Sequence, residues 1–447
     1  MDKKNDEAYQ AIQGLSRRRF FGQSLAALAG TSALGGLSFA SAEDVLPNQY
    51  LKIKEYRQLG RTGFKASDIG FGSGDLAEPA LLEAILDAGV NYIDTAESYS
   101  RGGSERVIGQ VISKRDRKKV FISTKLGLGK DATKENIIER ANKSLERLQT
   151  DYVDCFMIHM PSTVEALNNP HYHAAFKELK AQGKVRFRGL SNHGSQWNDV
   201  PETMEKVALA AVEDGRFDAM LFVYNFLQRD QGAKILEACQ QKRVGATLMK
   251  TNPVLNYLEM KENAEKAQTE DREMSPRMKD LLTRLKDRAD ASEAFIKEYN
   301  LADFNQIRNA AVKFVLSNPH VNSACLTIKN FDDLEFYVGL SGKRFTQADE
   351  AKLALYAQGL GQYYCRHACG ECESQCPHGV PVNTIMRYNH YFKAQGREKT
   401  AMVKYAALPT QKADKCWDCS GQCENACPHG IPVQGLLTLA HQTLTLV

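Results

Sequence analysis

Gly89-Val90-Asn91-Tyr92-Ile93-Asp94-Thr95-Ala96-Glu97-Ser98-Tyr99 is a short apolar run that ends on an aspartate and passes into a polar loop. β-Branched and aromatic residues fit a pleated, half-buried surface, so the run predicts a strand over Asn91–Asp94. Amphipathic helical patterns flank it, Pro79–Ala88 before and Ser104–Ile112 after. The same alternation continues outward. Candidate strands are Asp68–Gly72, Val120–Lys125, Tyr152–His159, Val185–Ser191, Ala219–Tyr224, Gly245–Met249 and Ala324–Ile328, with helices such as Lys134–Leu148 and Gln231–Lys242 between them. Strand–helix alternation of this kind predicts an α/β fold, a (β/α)8 TIM barrel over residues 50–345. A doubly wound sheet is the alternative, but no Gly-x-Gly-x-x-Gly turn follows the first strand.

In such a barrel, chemistry sits where strands end at the C-terminal face. Those ends carry Asp94, Lys125 and His159, and Tyr99 lies in the loop just beyond Asp94. Each has an ordinary reading: a helix-capping Asp, a packed Tyr, a solvated Lys, a satisfied core His. Together they place four ionisable side chains on one rim.

The segments Tyr56-Arg57-Gln58-Leu59-Gly60-Arg61-Thr62-Gly63, Gly89 to Tyr99, Ser104-Glu105-Arg106-Val107-Ile108-Gly109, Gly183-Lys184-Val185-Arg186 and Gly189-Leu190-Ser191-Asn192 resemble the aldo-keto reductase family. The resemblance implies a tetrad of Asp94, Tyr99, Lys125 and His159. In it Tyr99 donates a proton to a carbonyl oxygen, and His159 orients that carbonyl. A free tyrosine has a pKa of about 10, and the Lys125 ammonium, held by Asp94, is expected to lower it. The resemblance further implies NAD(P)H, with Asn192 against the nicotinamide carboxamide and Tyr224 stacked on its ring. Lys329 and Asn330 stand where the family contacts the adenosine phosphate. Asp333 or Glu335 falls where the family commonly carries Arg or Gln, and Ile328 replaces the usual Pro. Carboxylates there repel a phosphate, so NADPH is expected to bind no better than NADH.

Eight of the eleven cysteines fall between Cys365 and Cys427. Cys365, Cys369, Cys372 and Cys376 form one run, and Cys416, Cys419, Cys423 and Cys427 the other. Both close alike, with Cys376-Pro-His-Gly-Val-Pro-Val and Cys427-Pro-His-Gly-Ile-Pro-Val. An internal repeat means two equivalent sites. Close cysteines ending in Cys-Pro resemble the ferredoxin run, whose fourth cysteine ligates the other cluster. That resemblance implies two 4Fe-4S clusters, one on Cys365, Cys369, Cys372 and Cys427, the other on Cys416, Cys419, Cys423 and Cys376. Four disulfides or two zinc sites are the alternatives. Helical patterns from Asn383 and from Lys399 make residues 360–447 a small, mostly α-helical ferredoxin-like domain. His378 and His429 sit just outside the thiols. Residues 261–300, rich in Lys, Glu and Asp at helical spacing, read as a solvated helical excursion over the barrel mouth, one able to shape substrate access.

Ser16-Arg17-Arg18-Arg19-Phe20-Phe21 resembles a twin-arginine export motif. An uncharged stretch follows to Ala40-Ser41-Ala42, a small-residue cleavage site. A transmembrane anchor is the other reading, opposed by the Gly and Ser content of the stretch. Residues 1–42 are thus expected to be a signal, cleaved near Ala42, that engages the twin-arginine machinery for a periplasmic address. The net charge of +4, from 58 basic and 54 acidic residues, offers no footprint for nucleic acid. The expected function is an oxidoreductase acting on a small carbonyl or alcohol, coupled through the clusters to a one-electron redox partner. A nicotinamide passes two electrons as hydride while each cluster takes one, and no flavin motif bridges them. The alternative is an electron-transfer or binding subunit whose barrel site is vestigial.

Overall fold

The computed structural model describes residues 51–447 apart from 75, 130–131, 195–201, 255–264, 266–274, 409–410 and 446–447. The export-signal reading of residues 1–42 lies outside these residues, as does most of the first part of the inserted segment. Strands β1 (Tyr56–Gln58) and β2 (Lys65–Ser67) form an antiparallel hairpin. β3 (Ile69–Gly72), β4 (Tyr92–Asp94), β5 (Phe121–Leu126), β6 (Val153–His159), β7 (Val185–Asn192), β8 (Ala219–Val223), β9 (Gly245–Met249) and β10 (Ser323–Leu326) close a parallel barrel in the order β10-β3-β4-β5-β6-β7-β8-β9. All eight overlap the strands expected from sequence. The hairpin was not expected. It meets the N-terminal end of the barrel, where Gly60 (φ +46°) lies so close to β9 that an added Cβ would fall 2.2 Å from the Gly245 nitrogen. Leu59 and Ala66 of the hairpin join Tyr92, Phe121, Cys155, Met157, Ala219, Leu221 and Cys325 in the barrel interior. The barrel is therefore packed, with its chemistry left to the opposite rim.

Helix Pro276–Glu298 begins at Ser275, whose hydroxyl accepts from the Met278 N–H, with Pro276 in the first turn. Its buried residues, Met278, Leu281, Leu282, Leu285, Ala289, Ser292 and Ile296, recur at helical spacing. This corrects the reading of a solvated excursion, since one face packs against the C-terminal module. Leu282 and Leu285 cluster with Leu439, and a Cβ at Gly435 would come within 2.7 Å of Leu285. The high content of Lys, Glu and Asp describes the opposite face.

The C-terminal module contains helices Val382–Lys393, Glu398–Ala406 and Val433–Leu444 around a core that includes Val382, Ile385, Tyr405, Val433 and Leu437. The cysteine repeat extends to other residues. Glu373 accepts from the Asn383 N–H, and Glu424 accepts from the Gln434 N–H, both pairs displaced by the interval that separates Cys376 from Cys427. Gly379 (φ +62°) and Gly430 (φ +61°) repeat the same left-handed turn. Among the described residues no helix is long and apolar enough to cross a membrane.

Candidate active site and thiol module

A cavity of about 690 Å³ opens at the C-terminal rim of the barrel beneath the C-terminal module. Its floor includes Asp94, Tyr99 and His159, while Lys125 lies buried just below it. Parallel pairing sets Asp94 beside Ser123, bringing the ends of β4 and β5 together. Lys125 Nζ donates to Asp94 Oδ2 and to the Thr95 carbonyl, the latter at 2.8 Å, and stands 4.8 Å from the Tyr99 ring centre. The Tyr99 and His159 rings meet edge to face at 6.1 Å. The loop carrying Tyr99 is pinned twice. Glu97 accepts from Arg140 Nε at 3.0 Å, and Thr95 Oγ1 meets Ser104 Oγ at 3.0 Å.

Burial opposes the charge on Lys125, but Asp94 and Tyr99 outweigh it and raise its pKa, so the amine stays protonated. The expected downward pull of Lys125 on the Tyr99 pKa is present, but the pKa is raised overall. Burial dominates, and the downward pull of Lys125 offsets only part of it. His159 is held well below the usual imidazole range by burial, then by Lys125, Lys404, Arg387 and Arg397. Its ring is neutral near pH 7. A phenol, an ammonium and a neutral imidazole around one cavity can deliver a proton to an oxygen and orient it.

The residues assigned to nicotinamide separate into two groups. Lys329 lines the cavity, its Nζ on the Gln395 carbonyl at 2.8 Å. Asn330 is committed to capping helix Phe331–Val338, where its Oδ1 accepts from the Asp333 N–H. Asn192 is buried, its Nδ2 on the Pro161 carbonyl and its Oδ1 on the Gly194 N–H. Tyr224 points the other way, packing on Phe314 at 5.3 Å with its hydroxyl accepting from Asn318. Strand periodicity explains this. Tyr224 shares the parity of Met220 and Phe222, which face the helices, and not that of Ala219 and Leu221, which face the interior. Asp333, expected to be a bare repelling charge, is paired with Arg308 at 3.5 Å.

Lys250 was missed, although it follows β9 as directly as the tetrad residues follow their strands. It lines the cavity, lies 5.1 Å from the Tyr391 ring centre and holds a left-handed backbone (φ 52°). Met160, next to His159, is left-handed too (φ 58°). Such residues cost about 1–3 kcal/mol each and persist where surrounding structure imposes them. The module's contributions, Arg387, Tyr391 and Arg397, gave no sequence signal, because they reach the cavity from a separate segment of chain.

None of the eleven cysteines is in a disulfide. Burial and then Cys372, Cys369 and Cys427 raise the Cys365 pKa. Cys416, pushed up to about 12, feels burial and then Cys423, Cys376 and Cys419. Cys427 and Cys376 are thus each charge neighbours of the opposite run. Backbone N–H groups point at sulfur, Val380 to Cys376 at 3.4 Å and Gly421 to Cys419 at 3.5 Å. Among the described residues, no three His, Cys, Asp or Glu are gathered closely enough to hold a single metal ion. Cys365 also borders the cavity.

The sequence matches the Aldo/keto reductase family over residues 69–354. It is 31% identical over 216 residues to the aldo-keto reductase YhdN of Bacillus subtilis (strain 168), covering 43% of this chain and 61% of that protein. It is 30% identical over 211 residues to an NADH-specific methylglyoxal reductase of Escherichia coli (strain K12), covering 42% of this chain and 61% of the relative. The chain thus spans about three-fifths of the length of these two relatives. Among solved structures it is similar to the aldo-keto reductase AKR11C1 from Bacillus halodurans, with a TM-score of 0.48 and 20% identity over 67% of this chain and 95% of that one.

Proposed function

This chain belongs to the aldo/keto reductase family, and from that premise we propose that it is an oxidoreductase acting on the carbonyl or alcohol group of a small molecule. The observation that carries this reading is Tyr99 standing between charged Lys125 and neutral His159 on the cavity floor. Tyr99 holds the proton at Oη and passes it to the substrate oxygen, while His159 orients that oxygen. Lys125, fixed by Asp94, stabilises the phenolate that remains. A nicotinamide would supply hydride when bound. Lys329 and Arg308 would hold its phosphate end, whereas Tyr224 is turned away from it. A fit to NADH is also the chemistry named for one relative.

The C-terminal module would hold two 4Fe-4S clusters, on Cys365, Cys369, Cys372 and Cys427 and on Cys416, Cys419, Cys423 and Cys376. Burial and then neighbouring cysteines raise the pKa of Cys365 and Cys416, so bound cations would be needed to hold them ionised, and N–H donors to sulfur suit iron–sulfur ligation. Cys365 on the cavity wall supports electron exchange between the reacting centre and the module. A one-electron redox partner would serve the module. The twin-arginine motif at Arg17-Arg18 supports export of the folded protein to the periplasm.

Changing Tyr99 to Phe tests the reading. Turnover should fall by about 10²–10⁴-fold with iron content unchanged. Unaltered turnover would favour a carrier with a vestigial site.

A further inference from the structure

Proton transfer at Tyr99 uses His159 and leaves much of the cavity wall without a role. Beyond His159, at 6.4 Å between ring centres, stands His193, the residue that follows β7. His367 and His390 come from the C-terminal module, with ring centres 5.0 Å apart, and both meet Tyr364 edge to face. All three imidazoles line the same cavity as Tyr99, together with Thr251 and Asn252 after β9 and Asn389 beside His390. Each of these six side chains holds a buried polar atom with no hydrogen-bond partner among the described residues: His193 Nδ1, Thr251 Oγ1, Asn252 Oδ1, His367 Nε2, Asn389 Oδ1 and His390 Nδ1. His193, Thr251 and His367 are themselves more than nine-tenths buried. Native interiors satisfy nearly all their buried polar groups, so six around one cavity point to a partner that the chain itself does not supply. Among the described residues these imidazoles are not gathered closely enough to share a metal ion. Burial, and then Lys250, hold all three well below the usual imidazole range. Near neutral pH each ring is uncharged and carries one donor and one acceptor. A neutral wall of mixed donors and acceptors suits hydroxyl groups, since a hydroxyl both donates and accepts. Tyr364 and Tyr391 add flat aromatic faces to the same wall, the mixture of apolar surface and placed polar groups that small-molecule sites use.

We propose that these six side chains form a subsite for an uncharged polyhydroxylated ring, a sugar or cyclic polyol, through which the C-terminal module selects the substrate whose carbonyl or alcohol faces Tyr99. This rests on the carbonyl–alcohol reading given above. The ribose of a dinucleotide offers the same hydroxyl chemistry, and ordered water is the other way to satisfy such atoms, so the test separates all three.

The probes are glucose, galactose and myo-inositol, with cyclohexanol as a control that keeps a ring but loses all hydroxyls save one. Each is titrated calorimetrically into the full-length, iron-loaded protein. At least one polyol should bind, and cyclohexanol should not. His390→Leu should weaken that polyol at least tenfold with iron content and fold intact. Should His390→Leu fail to fold, Asn389→Ala, at a partly exposed position, takes its place in the same comparison. Saturating NADH should leave the polyol bound. Binding by none of the three polyols, equal binding of cyclohexanol, or an unchanged affinity in the variant overturns the proposal and leaves water as the partner of these atoms. Competitive displacement of the polyol by NADH assigns the wall to the dinucleotide's ribose and overturns it too. Binding is read without turnover, and Tyr99→Phe should retain it, so failure here is distinct from failure of the oxidoreductase reading.

Discussion

Arg397, carried by the C-terminal module, lies 5.8 Å from the centre of the Tyr99 ring on the barrel rim. Its positive charge pulls the phenol pKa down, in the same direction as Lys125 and against burial, which prevails. Tyr99 donates only while protonated, and its pKa stands above 10. Reduction should therefore stay level from neutral pH to beyond about pH 10 before declining. Arg397→Ala should move that decline further up. His159 is neutral throughout, so no step from it is expected between about pH 6 and 8. A profile of kcat/KM against pH checks all three, and a decline centred near pH 8 would contradict the assignment of Tyr99.

The buried pair of Lys125 and Asp94 leaves no solvent to compensate a lost partner. Asp94→Asn should cost about 3–5 kcal/mol of unfolding free energy. Replacing both residues together, Asp94→Asn with Lys125→Met, should cost less than the sum of the two single changes. Denaturant melts of the four proteins provide the cycle.

Crossed ligation makes a specific claim about the thiols. Anaerobically purified protein should contain about eight irons per chain. Cys427→Ser and Cys365→Ser should abolish the same cluster's paramagnetic signal, although the two residues lie in different runs. Cys376→Ser and Cys419→Ala should abolish the other. Two zinc ions and no iron would refute this.

NADPH should bind no more tightly than NADH. The phosphate loop carries Lys329 and Arg308, but Asp333 pairs with Arg308 and also accepts from the Lys329 N–H. Asn330 is occupied as a cap. With its charges offset and one amide taken, the loop has little surplus for an extra phosphate. Paired fluorescence titrations decide it, with a tenfold preference for NADPH as the contrary result.

Changing Arg17 and Arg18 together to Lys should leave the protein in the cytoplasm. Fractionation with an iron assay on each compartment measures this, and unchanged periplasmic delivery would remove the export proposal.

The eight barrel strands were legible because each couples a β-branched run to a helical pattern, and both periods are local properties of the chain. Asp94, Tyr99, Lys125 and His159 were legible for a related reason. In a parallel barrel every strand ends on the same face, so position in the element already states position in space. Lys250 obeys the same rule and was readable. Tyr224 was misassigned at the point where strand parity, and not strand position, decides which layer a side chain enters. Where the local code stops, tertiary structure takes over. The Tyr99 pKa turned on burial, which depends on what covers the rim, and the cover comes from residues 382–406. The pairing of Asp333 with Arg308 and the turning of a charged helix's apolar face onto Leu439 likewise join distant segments. Sequence alone determined the barrel, the residues that stand on its rim and the thiol repeat, since each is written in short-range spacing. What lies over the rim, and hence the charge and dryness of the cavity, came from long-range packing that no local period encodes.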